Sequence, residues 1–167
     1  MSVTIANRQR VQKINLRLLK KIADALLAEL EIQKAEIGIC LVDAPEMTQL
    51  NETFLKHKGS TDVIAFDYRD SAGQASSLSH SKIRKVRDRQ DTCPAIQGEI
   101  FICMDEAVLQ ARKFGTSWPS EVVRYIVHGV LHLCGFDDSS AGARRKMKRE
   151  ENRRLREMTR RFPLSKL

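Results

Sequence analysis

His128-Gly129-Val130-Leu131-His132-Leu133-Cys134-Gly135-Phe136-Asp137-Asp138 is the stretch that decides what kind of molecule this chain makes. His128 and His132 stand four apart in an apolar run, so on a helix they share one face, one turn apart. Gly135 offers the chain a way out of the helix. Asp138 follows three residues later and can return toward the two imidazoles. Two nitrogens and one carboxylate oxygen make a three-ligand metal set with a position left open for water, which is what a hydrolytic metal centre needs.

The spacing is that of the metzincin zinc signature, H-E-x-x-H-x-x-G-x-x-H, with two departures. Gly129 stands where those peptidases carry their general base, so nothing on the helix can take a proton from a metal-bound water, and peptidase chemistry is disfavoured. Asp138 stands where they carry a third histidine. Zinc accepts carboxylate oxygen, and the added negative charge makes the ion a weaker Lewis acid. The competing interpretation is a pair of core histidines at helical spacing; the turn glycine and the carboxylate favour the metal. Asp137 could accept a hydrogen bond from a ligand imidazole, accept a proton, or hold the turn. Cys134 lies on a different helix face from the histidines and reads as a core thiol.

At 167 residues the chain is expected to be one domain, residues 1–162, with a short tail at 163–167. Its 42% hydrophobic and 30% charged content is that of an ordinary globular protein. The net charge is +8, and residues 141–167 alone, with eleven bases against three acids, carry all of it. The expectation is a near-neutral domain with a basic appendage suited to polyanions. The four cysteines form no C-x-x-C pair, which argues against a structural zinc knuckle. No secretion leader and no apolar run of membrane-spanning length is visible, so a cytoplasmic protein with free thiols and no membrane partner is expected.

Periodicity supplies the elements. Residues 3–6, 37–42, 62–68 and 98–103 read as strands. A helix over 16–30, capped by Asn15, carries the stripe Leu18, Leu19, Ile22, Leu26 and Leu30. Pro45 opens a second helix with Met47, Leu50 and Phe54 inward. Residues 105–114 form a third, ended by Gly115. Thr116 or Ser117 caps a fourth that runs to Cys134, apolar almost all round and therefore central. Residues 143–162 form a charged fifth with the thin stripe Met147, Leu155, Met158 and Phe162. Residues 70–97 are rich in small and basic residues and read as a long loop or insertion. Strands and helices do not alternate regularly. The expected class is therefore α+β: a small mixed sheet covered by helices.

With these residues in place, the chain resembles the YbeY-type rRNA maturation factors, metal-dependent endoribonucleases of bacteria. Their signature is roughly H-G-x-L-H-L-x-G-Y-D-H. Leu50-Asn51 with Thr61-Asp62-Val63-Ile64-Ala65-Phe66 is similar to their L-N…T-D-V-L-S-F, and Gly98-Glu99-Ile100-Phe101-Ile102 to their G-D-I-x-I strand. Met147, Glu151 and Leu155 sit like their closing helix. The resemblance implies a four-stranded α+β domain and a zinc ion, one per chain, at His128, His132 and Asp138. It also implies single-strand RNA cleavage in rRNA maturation and ribosome quality control. An arginine that usually follows the L-N pair falls on Leu55, which cannot bind phosphate. Lys56, Lys58 and Arg69 are the candidates to hold RNA instead, and His57 is a candidate acid or base. Few aromatic residues are present, so backbone contact should outweigh base stacking. The alternatives are a non-enzymatic ribosome-assembly factor with a structural metal, anchored by the basic helix, and, less favoured, a metallopeptidase.

Overall fold

The computed structural model describes residues 1–69, 76–77 and 95–167. Most of the expected 70–97 segment lies outside them. Residues 95–97 belong to a strand rather than to that loop, because their backbone pairs with residues 34–36.

Four strands form the body of one sheet: β1 (Ser2–Asn7), β2 (Lys34–Val42), β3 (Val63–Asp67) and, after the two-residue β4 (Ser76–Ser77), β5 (Ala95–Cys103). Their order is β1-β2-β5-β3-β4. β1, β2 and β5 run parallel, whereas β3 is antiparallel to β5. Ile37, Ile39 and Leu41 of β2 alternate with Glu36, Gly38 and Cys40, so the aliphatic set points to one face and the smaller, more polar set to the other. β1, β2 and β5 run longer than the stretches that announced them, whereas β3 is one residue shorter at each end.

Among the described residues five α-helices cover the sheet: α1 (Leu16–Glu29), α2 (Ala44–Leu50), α3 (Met104–Phe114), α4 (Trp118–Leu133) and α5 (Ala141–Arg161). Their starts are chemically marked. Side chains of Asn15, Asp43, Ser117 and Ser140 each accept a hydrogen bond from the backbone N–H three residues on. Gly115, at φ 65°, ends α3. α4 is buried along most of its length against β3, β5, α3 and α5, as its all-round apolar character requires. Among the described residues no helix is long and apolar enough to cross a membrane.

One expectation about the second helix is corrected. Beyond α2 the chain widens into a π-turn over Asn51–Leu55, ended by Lys56 in the left-handed region at φ 58°. The extra residue in that turn shifts the following side chains around the axis. Phe54 is therefore 47% exposed, touching Phe66 only by its ring edge, with centroids 5.4 Å apart. Residues 163–167, read as a tail, fold back: Leu164 and Leu167 are buried, and the Leu167 carbonyl accepts from the Asn15 N–H.

Candidate metal centre

The apolar surface of α4 fixes where its two histidines point. Ile126, Val127, Val130 and Leu131 are fully or almost fully buried in the core, which leaves His128 and His132 on the remaining face toward α5. Gly129 lies against β5. A Cβ there would sit 2.7 Å from Ile100 Cγ2, so no side chain fits between helix and strand. The peptidase glutamate is absent for a packing reason as well as a chemical one.

The exit from α4 is a Schellman turn. Gly135 at φ 89° donates to the His132 carbonyl at 2.8 Å, and Phe136 N–H donates to the Leu131 carbonyl at 3.0 Å. The same turn orients a ligand: the Phe136 carbonyl lies 3.0 Å from His132 Nδ1. Arg69 caps the helix end from outside, donating from its guanidinium to the Leu133 carbonyl at 2.5 Å, to the Ala95 carbonyl and to Asp67. Asp137 holds the following turn, accepting from Ser139 N–H at 2.9 Å and from the Ser139 hydroxyl, which together lower its carboxyl pKa.

Asp138 then returns to the histidines. Its Oδ2 is 3.6 Å from His132 Nε2, and the two Nε2 atoms are 3.0 Å apart. One ligand atom from each of His128, His132 and Asp138 lies within 4.8 Å of the others. Ligands on a tetrahedral ion with bonds of 2.0–2.1 Å stand about 3.3 Å apart, close to this spacing.

The donor set also fits an ion. His128 Nδ1 lies 3.0 Å from Glu151 Oε2 on α5, and His132 Nδ1 lies beside the Phe136 carbonyl. Both acceptors hold the ring proton on Nδ1 and turn the Nε2 lone pairs toward each other. Two lone pairs at that distance repel unless a cation lies between them. Burial, reinforced by the neighbouring His128, holds His132 below its ordinary pKa, the direction that favours the neutral form a ligand needs.

Glu151 is the partner of the candidate site that the sequence reading did not assign. Burial alone would raise its pKa, but hydrogen bonds from His128, Lys148 and Arg124 outweigh that and hold it at about 2. Its position in the stripe Met147, Glu151, Leu155, Met158 was the available signal: an acid at a core-facing position needs a partner.

A cleft of about 360 Å³ opens beside the histidines, lined by His128, Asp138 and Glu151 together with Asp62, Arg124, Arg144 and Lys148. None of Lys56, His57, Lys58 and Arg69 lines it. Lys56, His57 and Lys58 are exposed beyond the π-turn, and Leu55 packs against the smaller core on the opposite sheet face, with Cys40, Val42 and Phe66. Asn51 is buried and donates to the Gly59 carbonyl at 2.8 Å, pinning the loop that leads to Asp62. Asp62 in turn accepts from Val63 N–H with its side chain, while its carbonyl accepts from Cys103 N–H. The T-D pair is thus a strand-entry device that sets Asp62 in the cleft wall.

A mixed sheet under a buried helix presents two histidines and a returning carboxylate that could hold a metal ion, on an α+β fold. The profile of the family described as Endoribonuclease YbeY matches residues 2–159, and the chain belongs to that family. It is 36% identical to the endoribonuclease YbeY of Acidothermus cellulolyticus over 88% of this chain and 85% of the relative. It is 30% identical to that of Aquifex aeolicus over 100% of this chain and 97% of the relative. The solution structure of TM1509 from Thermotoga maritima shares the fold with a TM-score of 0.62, at 19% identity over 98% of this chain and 95% of that one.

Proposed function

We propose that this protein is a metal-dependent, single-strand-specific endoribonuclease acting on rRNA precursors, at the 3′ end of the small-subunit rRNA, and in ribosome quality control in the cytoplasm. The observation that carries the proposal is the convergence of the His128 and His132 Nε2 atoms and Asp138 Oδ2 beside a cleft that Arg124, Arg144 and Lys148 also line. In this reading those three residues hold one zinc ion. When bound, the ion supplies Lewis acidity toward a phosphate oxygen and lowers the pKa of a coordinated water. The chain's own residues do the rest. Glu151 and the Phe136 carbonyl fix the ligand tautomers, the packing of α4 on Ile100 fixes their position, and Asp62 is the carboxylate of the cleft that neither holds the ion nor orients a ligand, and so the one from which a proton acceptor would come. Asp137 is occupied in its turn, so it acts by placing Asp138.

A second reading is a ribosome-assembly factor with a structural metal, held to rRNA by α5. The observation favouring it is Leu55, partly buried against the smaller core at the position where the family's arginine would stand. Cleavage of a single-stranded rRNA fragment by wild type and His128→Ala, with metal content measured for both, separates the two. Cleavage lost together with the metal supports the nuclease. Tight rRNA binding without cleavage by metal-loaded wild type rejects it in favour of the assembly factor.

A further inference from the structure

The cleft beside His128 contains cationic side chains that the candidate ligands do not use. We propose that Arg144 and Lys148 form a subsite for a backbone phosphate of single-stranded RNA, next to the candidate metal ligands; the proposal rests on the ribonuclease reading above. The two stand four apart on α5, so they share a face one turn apart, as His128 and His132 do on α4. Both line the cleft that holds His128 and Asp138. Like charges at this spacing repel, so the pair costs the isolated helix stability and gains by sharing an anion.

Their present partners leave them able to take one. Arg124, the third cation of the cleft, is already committed: it meets Glu151 Oε1 at 2.7 Å, Asn152 Oδ1 at 3.1 Å and Glu121 Oε2 at 3.4 Å. Arg144 is exposed, donates to the Asp138 carbonyl at 3.2 Å and has no carboxylate at ion-pair distance among the described residues. The side chain of Lys148 is 60% exposed and contacts Glu151 Oε1, an oxygen that Arg124 also covers. Both can turn to a phosphate without leaving a buried acid bare. Across the cleft wall, Tyr125 is buried, and its hydroxyl makes no hydrogen bond among the described residues. Arg124, Arg144 and Lys148 balance Asp62, Asp138 and Glu151 in charge, so a divalent ion at the ligands makes the cleft net positive.

The test is the salt dependence of binding of a fluorescent single-stranded oligoribonucleotide to metal-loaded protein, followed by stopped-flow anisotropy before cleavage. Each phosphate contact removed lowers the slope of log affinity against log salt by about 0.7. Arg144→Ala and Lys148→Ala are therefore expected to lower it by about 0.7 each, and the double variant by about 1.4, with metal content unchanged. Arg160, about 18 Å along α5 from Lys148, is the control: Arg160→Ala leaves the slope as in wild type. Because Arg144 touches the Asp138 carbonyl, Arg144→Lys is included and retains the slope that Arg144→Ala loses. An unchanged slope in the double variant, in a protein that cuts RNA, overturns the subsite and leaves the nuclease standing. An equal loss in Arg160→Ala overturns it in favour of diffuse attraction to the whole helix. A metal-loaded wild type that neither binds nor cuts single-stranded RNA overturns both proposals.

Discussion

α4 and α5 pack on each other and both reach the candidate metal centre, yet they are built in opposite ways. α4 is apolar on nearly every side and holds its histidines by packing: Ile126, Val127, Val130 and Leu131 are locked in the core, and Gly129 lets the helix lie directly on Ile100. α5 exposes Arg145, Arg149, Arg153 and Arg156, and buries only a narrow stripe in which Glu151 and Arg154 stand among Met147, Leu155 and Met158. Its charges are paired across helices, Glu151 to His128 and Arg124 of α4, and Arg154 to Glu29 of α1. Apolar packing is non-directional and fixes where a backbone lies. A charged hydrogen bond is directional and fixes which way an imidazole faces. The centre takes its position from α4 and the orientation of His128 from α5.

Substitution of the ligands themselves should have the largest effect. His128→Ala and Asp138→Ala are expected to lose the metal by elemental analysis while keeping the wild-type circular dichroism spectrum, whereas Asp138→His keeps it. Equal metal content in wild type and Asp138→Ala would mean that Asp138 is not the third ligand.

Glu151→Gln comes next, and it separates orientation from packing. Loss of the anion beside His128 should weaken metal binding by about 10–100-fold, measured by competition with a chelating dye. Unchanged affinity would reduce α5 to a structural support. The same residue gives a pH signature. Its carboxyl lies at about 2 in the fold against an ordinary 4.5, so the stability it contributes is complete above about pH 4.5 and is lost as pH falls toward 2. That contribution is on the order of 3 kcal/mol, and the acid limb of the denaturation profile should flatten in Glu151→Gln.

Gly129→Ala tests α4. The added methyl meets Ile100 at under van der Waals distance, and overpacking of this kind costs about 1–3 kcal/mol in urea unfolding. A neutral result would mean that α4 can move off the sheet, and its ligands with it. The smallest effect is expected on the outer face of α5: Arg149→Ala and Arg156→Ala, both exposed, should shift stability by no more than about 0.5 kcal/mol.

Much of this was legible in the chain because it is local. The histidine spacing, the exit at Gly135, the caps at Asn15 and Ser117 and the end at Gly115 depend on residues within a few positions of one another. The return of Asp138 was legible for the same reason, since a left-handed glycine leaves a short loop few ways to go. Lys56, His57 and Lys58 follow the π-turn and are exposed, Arg69 is engaged at the end of α4, and none of the four lines the cleft. The residues that do line the cleft, Arg124, Arg144 and Lys148, lie on two helices whose docking no local pattern encodes.

The sequence by itself determined the elements, the α+β class and the three candidate ligands, because helical period, capping and turn chemistry act over one or two turns of chain. Only the tertiary structure decided that β5 lies between β2 and β3, that Gly129 is a contact with Ile100, and that Glu151 reaches His128 across 23 residues. Those contacts join segments far apart in the chain. They form only once burial of the apolar faces has set the distances between elements, and from there a hydrogen bond of 3.0 Å can select its partner.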